Sequence, residues 1–294
     1  MKRKDFIQKS SILAFSTSAF GLIRWNGENY VGDTPTTSDI LGPFYRPGAP
    51  FRNNIIPVNS KGTPLNLRGI VLGDDGKTPL EDAIVEIWQC DENRYYDNTS
   101  DDFRFRGALR TNADGRYHFN TIVPVPYKVD MDDDDSSWRP AHIHMRISSE
   151  AQQDLVTQIY LKGDQYIDTD ASASSPDAIH RILDLTRNAD NEQELIFDVV
   201  MTENIPLSDE VYQKITGLYQ TERNIIEYIK SDDLLLVKKN GQIVRSLKYV
   251  GNNTFEGING NPKVSFRLFS DGKVEAITHW GHGKKSAGSK FLKY

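Results

Sequence analysis

The stretch Ala83-Ile84-Val85-Glu86-Ile87-Trp88-Gln89 decides how this chain is read. Successive side chains of an extended segment point to opposite faces. Val85, Ile87 and Gln89 therefore share one side, and Ile84, Glu86 and Trp88 the other. Outward from it the same pattern recurs. Leu67-Arg68-Gly69-Ile70-Val71-Leu72 runs into the turn Gly73-Asp74-Asp75-Gly76. Leu109-Arg110-Thr111 leads through Asn112-Ala113-Asp114-Gly115 into Arg116-Tyr117-His118-Phe119. The run around His142 and the run Leu155 to Leu161 complete the set. Short strands separated by Gly- and Asp-rich turns predict an all-β chain whose larger part is a β-sandwich. Before it, residues 26–60 read as an irregular arm, because Pro35, Pro43, Pro47, Pro50 and Pro57 forbid a long helix. Ser175-Pro176-Asp177-Ala178 reads as a helix start, with Ser175 as N-cap and Pro176 in the first turn, and the helix should reach about Leu185. Glu194 to Met201 reads as one more strand.

Past Ile205-Pro206-Leu207-Ser208 the pattern changes. Ser208 to Tyr219 reads as a short helix ending near Gly217. Six short apolar runs follow, from Ile225 to His279, separated by Asn240-Gly241, Asn252-Asn253, Gly260-Asn261 and Asp271-Gly272. Such dipeptides are hairpin turns. The expectation is a small antiparallel β-meander, barrel-like, over residues 207–294, behind a sandwich domain over residues 26–206.

The formal net charge of −6 argues against nucleic acid or anionic membrane surfaces as partners. Asp130 to Asp135, five aspartates interrupted only by Met131, reads as a solvated loop and lacks the spacing of an EF-hand. Cys90 is the single cysteine, so neither an intrachain disulfide nor a Cys-based zinc site can form within the chain. The start Met1-Lys2-Arg3-Lys4-Asp5-Phe6-Ile7 is basic, and a weakly apolar stretch follows from Ser10 to Ile23. That stretch is too short and too polar for a membrane span. It predicts an export signal over residues 1–25, similar to a degenerate twin-arginine signal, with a retained amphipathic helix in the cytoplasm as the alternative.

Arg139-Pro140-Ala141-His142-Ile143-His144 carries the chemistry. In a strand, His142 and His144 project side by side and their ring nitrogens can reach one ion. Alone, a His-x-His pair also fits a solvated strand face. His279 and His282, three apart in a meander, face different ways and are not read as a pair.

Four segments accompany the histidine pair: Leu41-Gly42-Pro43-Phe44-Tyr45, the run from Val85 to Asp97, Pro124-Val125-Pro126-Tyr127, and Thr157 to Asp164. Together they resemble the intradiol ring-cleavage dioxygenase family over residues 38–200. That resemblance, not the spacing, implies a ferric iron, Fe(3+), held by Tyr96, Tyr127, His142 and His144. It places Arg139 and Gln158 in the catalytic pocket beside Tyr127, and it gives Tyr45 either a substrate contact or a packing role. Arg94 stands where the family usually has glycine, so a slip of one residue would put Tyr95 in the place of Tyr96. Two phenolates are hard donors that suit ferric iron, and two imidazoles add no charge. The implied reaction is cleavage of a small catechol by O2 to a cis,cis-muconate-type diacid, and homo-oligomers are usual in the family. Two other readings compete. A secreted non-catalytic binding module would have no use for Tyr96, Tyr127, His142, His144 and Arg139 together. A metal-dependent hydrolase would want a carboxylate base near the histidines, and none is suitably spaced.

Overall fold

The computed structural model describes residues 35–129 and 138–291, with the backbone of two short paired strands, β1 (Arg24–Trp25) and β2 (Tyr30–Val31). The predicted export signal and the Asp130–Asp135 run otherwise lie outside the described residues, as does the His282 side chain.

Two sheets face each other. One is built on β3 (Pro64–Leu72), which pairs antiparallel with β6 (Arg116–Ile122) and parallel with β13 (Gln193–Ile196) and β14 (Val199–Val200). The other has β4 (Ile84–Trp88) between β5 (Arg106–Arg110) and β9 (His142–Ser149), with β10 (Gln152–Leu161) beyond β9. Alternation fills the space between them. Leu65, Leu67 and Val71 meet Val85, Ile87, Ile143, Met145 and Ile147 there, all under 2% exposed. Each such aliphatic side chain contributes about 1.5–3 kcal/mol by leaving water. The expected sandwich is thus present, with an irregular arm lying across it.

Two local expectations change. The helix after Ser175 is a 3₁₀ turn, Pro176–Arg181, capped by Ser175 as predicted but stopping before Leu185. Ile182 and Leu183 leave it to form β11 (Ile182–Leu183), paired with Tyr160 and Leu161. The strand expected from Glu194 to Met201 is split at Phe197 and Asp198. There Phe197 carries its carbonyl so close to Gly69 that an added Cβ would sit 1.9 Å from the oxygen, and Asp198 accepts from the Ile70 N–H instead.

The C-terminal part is a closed barrel of eight antiparallel strands. They are β16 (Gly217–Thr221), β17 (Ile225–Ser231), β18 (Leu234–Lys239), β19 (Gln242–Tyr249), β20 (Thr254–Glu256), β21 (Lys263–Leu268), β22 (Val274–His279) and β23 (Lys285–Lys290). The helix α1 (Asp209–Ile215) precedes them, capped by Ser208. It stops earlier than expected, and Gly217, at φ +125°, starts a strand instead of ending the helix. β16 and β23 close the circle by pairing with each other. The expected six-stranded meander gains these two strands.

The barrel packs on the sandwich through its outer face. Leu234 and Leu236 join Leu41, Tyr45, Trp88, Tyr96, Tyr127 and Val156 in one buried cluster. Arg146 adds polar ties, donating to the Ser231 carbonyl and hydroxyl and to Asp232.

Candidate active site

β9 sends Ile143, Met145 and Ile147 into the core, so His142, His144 and Arg146 emerge on the opposite face. Register then lines up the neighbours. Tyr160 lies opposite His142, Gln158 opposite His144, Trp88 opposite His144 on the other side, and Glu86 opposite Arg146. This outer face is roofed by the arm, by the hairpin β7 (Tyr127–Lys128) and β8 (Trp138–Arg139), and by the barrel's leucines. His142, His144 and Gln158 are at most 1% exposed.

The ring nitrogens converge. His142 Nδ1 donates to the Pro140 carbonyl at 2.7 Å, which fixes the tautomer and leaves Nε2 with a free lone pair. That Nε2 lies 3.2 Å from His144 Nε2 and 3.5 Å from the Tyr96 hydroxyl. The Tyr127 ring stands 5.3 Å from that of Tyr96 and 5.4 Å from that of His142. Phe44 stacks on Tyr96 at 4.4 Å, and Trp88 lies parallel to His144 at 4.9 Å. These flat contacts hold two ligand-type rings without using their polar atoms.

Electrostatics agree with a cation-binding centre. Burial, then the Arg139 charge, pushes His142 down to about 3. Burial, then His142 and Arg139, holds His144 well below the ordinary histidine value. Both are neutral imidazoles at neutral pH, as metal ligands must be. Burial raises Tyr96 well above the ordinary phenol value, with Tyr127 adding to it, and burial raises Tyr127 as well. At 3.2 Å the two Nε2 atoms can share one proton or, with both lone pairs free, face one cation. Among the described residues no third His, Cys, Asp or Glu joins them. The nearby donors are the two phenols, which would ionise only in the field of a cation. This donor set fits ferric iron: two phenolates and two neutral imidazoles leave one positive charge, which a hydroxide or a substrate oxygen offsets.

Arg139 is held beside the centre. Its Nε donates to Asp170 Oδ2 at 2.7 Å, and its Nη2 donates to Asp170 Oδ1, Gln158 Oε1 and the Tyr160 hydroxyl at 3.1–3.2 Å. Burial, the largest influence, works against the charge, but the hydrogen bond to Asp170 and the fields of Tyr160, Asp170 and Tyr127 together outweigh it and raise the guanidinium's pKa. Gln158 is fixed in turn by its amide donating to the Ile40 carbonyl at 2.7 Å, and Tyr160 by donating to Asp39 at 2.8 Å. Asp39 is itself ion-paired with the buried Arg181.

The structure thus brings Tyr96, Tyr127, His142, His144, Arg139 and Gln158 together. It also separates Tyr96 from Tyr95. Tyr95 is 53% exposed and Tyr96 only 4%. Arg94, in the usual glycine place, takes φ +69°, the left-handed region in which glycine is least strained. Tyr45 makes the contacts of the packing alternative. Its ring lies on Trp88 at 5.0 Å, and its hydroxyl donates to Glu86 and accepts from Arg146. His118 is exposed and meets Asn66. Asp170, Trp88, Tyr160 and the Asp39–Arg181 pair were not singled out by sequence reasoning. The period-2 alternation of β10 does place Tyr160 on the face of Gln158, whereas nothing local marks Asp170.

The fold and the site define a β-sandwich dioxygenase. A dioxygenase family model (Dioxygenase_C) matches residues 40–203, ending before α1. Among curated proteins, 6-chlorohydroxyquinol 1,2-dioxygenase of Cupriavidus pinatubonensis is 34% identical over 214 residues, covering 68% of this chain and 75% of that one. Catechol 1,2-dioxygenase 2 of Acinetobacter lwoffii is 35% identical over 163 residues, covering 50% and 58%. The crystal structure of a 3-chlorocatechol 1,2-dioxygenase from Rhodococcus opacus 1CP superposes with a TM-score of 0.51 at 28% identity, over 58% of this chain and 73% of that one. The chain belongs to the intradiol ring-cleaving dioxygenases and is an oxidoreductase of that class. It spans between a little over half and three quarters of the length of these relatives.

Proposed function

We propose that this protein cleaves a small catechol between its two hydroxyl-bearing carbons, using ferric iron and O2, and releases a cis,cis-muconate-type diacid. The observation that carries the proposal is the meeting of two phenols and two neutral imidazoles at one buried point. Tyr96, Tyr127, His142 and His144 would hold the iron. When bound, ferric iron withdraws electron density from a chelated catecholate and makes its ring reactive toward O2.

The chain's own residues do the rest. Tyr127, paired with Arg139 across β7–β8, would as its phenolate take up a proton from an incoming catechol hydroxyl. Arg139 presents a permanent positive charge toward the pocket and stabilises negative charge that develops on the substrate. Gln158 and Asp170 keep that guanidinium oriented. Phe44 and the barrel's Leu234 and Leu236 belong to the apolar cluster around the tyrosines and help keep water out.

The test is oxygen uptake by the iron-loaded protein over catechol, hydroxyquinol, protocatechuate and chlorinated catechols, with the visible spectrum recorded. Tyrosinate-to-iron charge transfer should colour the protein burgundy. Tyr127→Phe should shift that band and slow turnover. An unchanged band and rate would show that Tyr127 is not a ligand. Export by residues 1–25 is part of the same proposal. Fractionated cells should hold the protein outside the cytoplasm, and neutralising Lys2, Arg3 and Lys4 should retain it inside.

A further inference from the structure

The barrel contains a cavity of about 1030 Å³ that has no part in the dioxygenase site. It opens at the end formed by the β16–β17, β18–β19, β20–β21 and β22–β23 connections. The opposite end is stoppered, because Tyr212 and Ile215 of α1 are buried in the barrel core. Between the two, Tyr219, Tyr228, Phe255 and Phe266 contact one another edge to face in the barrel core, and Tyr228 lines the cavity. The result is a blind pocket rather than a channel. Eight strands give a barrel just wide enough for its own side chains or for one small ligand, and the size is at the upper end for a small-molecule site.

The walls and the rim differ in chemistry. Ile226, Val237, Val244 and Val264 line the walls, and the Tyr228 and Thr278 side chains lie deeper, in the buried part. The rim carries Arg223, Lys239, Arg245, Lys284 and Lys285 against a single acid, Glu222. Five cations to one anion stand out in a chain of net charge −6. Among the described residues none of the five is in an ion pair. Arg245 is the most informative of them. It lies directly opposite Val237 across the β18–β19 pair, so it shares that residue's inward face. Its guanidinium lies 5.1 Å from the centre of the Trp280 ring and is otherwise open to the cavity. Arg245 is exposed at the cavity mouth, and partial burial there lowers its pKa.

We propose that the barrel is a binding site for a small amphipathic anion: a carboxylate or sulfonate on a ring-sized apolar body. The apolar body lies between Ile226, Val237 and Val264, against Tyr228. The anionic group pairs with Arg245, supported by the lysines of the rim. Charge-assisted pairing to a planar guanidinium selects an oxyanion over a neutral ligand. This site is independent of the catalytic reading, since the chain brings no described catalytic residue near it.

The test uses the full-length protein and two probes of similar apolar body: 8-anilinonaphthalene-1-sulfonate, an anion, and N-phenyl-1-naphthylamine, which is neutral. The anion should bind saturably at one site and quench Trp280 emission, and Trp280→Phe should remove that quenching. Its affinity should fall as salt rises. Arg245→Gln should weaken the anion about tenfold or more, Arg245→Lys should recover part of the loss, and the neutral probe should be unaffected. Ile226→Trp, filling the pocket, should block both probes with the thermal transition intact. Should Ile226→Trp fail to fold, the Arg245 pair of variants decides alone. Equal affinity for the two probes, or anion binding unchanged in Arg245→Gln, would overturn the proposal.

Discussion

Replacing Asp170 by Asn tests how the site holds its cation. Arg139 and Asp170 form a buried pair, with side chains 9% and 7% exposed. Besides Arg139, Asp170 Oδ1 accepts from the Ser172 and Ala173 N–H groups, so the carboxylate is fully engaged. Breaking a buried ion pair from one side costs about 3–5 kcal/mol, because a charge is left without its partner. Asn keeps one acceptor oxygen for Arg139 or the backbone, and Gln158 and Tyr160 still receive the guanidinium. The lower end, about 3 kcal/mol, is therefore expected. At roughly 2–4 °C per kcal/mol for a body of this size, the melting temperature should fall by about 6–12 °C. The freed guanidinium should also lose its aim, lowering kcat by about tenfold to a hundredfold while the iron chromophore persists. Calorimetry and oxygen uptake at saturating catechol measure the two effects. A melting temperature within about 2 °C of the parent, together with unchanged kcat, would show that Gln158 and Tyr160 hold Arg139 without Asp170.

Further outcomes follow from other contacts. Burial raises Glu86 to about 7, against the Arg146 charge and the Tyr45 hydrogen bond, which lower it. Folding therefore favours its protonated form. Its contribution to stability is present below about pH 4.5 and lost as pH rises through about 7. Glu86→Gln should flatten part of the fall in stability between pH 5 and pH 8, read as urea midpoints. Asp154, also raised to about 7 by burial, leaves the remainder. Gly42 sits at φ +75°, and an added Cβ would lie 3.0 Å from His144 Cε1. Gly42→Ala should cost about 1–2 kcal/mol in backbone strain and lower iron retention on dialysis against a chelator. Full metal content in that variant would show that the arm does not brace His144.

Much of this was legible along the chain. Alternation through Val85, Ile87 and Gln89 and the Gly-Asp turns marked the sandwich, since period-2 burial is written residue by residue. The His142–His144 pair followed from the same rule. The tyrosines did not, because phenols brought to a site from a loop and a hairpin carry no periodic mark; the family resemblance supplied them. Asp170 and Arg181 were missed for the related reason that their partners, Arg139 and Asp39, are 31 and 142 residues away. β16 was missed because the helix read from Ser208 to Tyr219 ran over its start, and β23 because Lys285-Ser286-Ala287-Gly288-Ser289-Lys290 is a poor strand former on its own. They are strands because each has a partner on both sides. The split at Phe197 depends on Gly69, far off in the chain.

β9 has no spare side. Odd-numbered residues from Ile143 to Ile147 supply dry core, and even-numbered ones from His142 to Arg146 supply chemistry and the tie to the barrel. Losing a single codon within it would exchange the two roles along the rest of the strand, sending imidazole inward and isoleucine toward the tyrosines. Substitutions here would be graded by which face they fall on. Insertions and deletions would have no mild class at all.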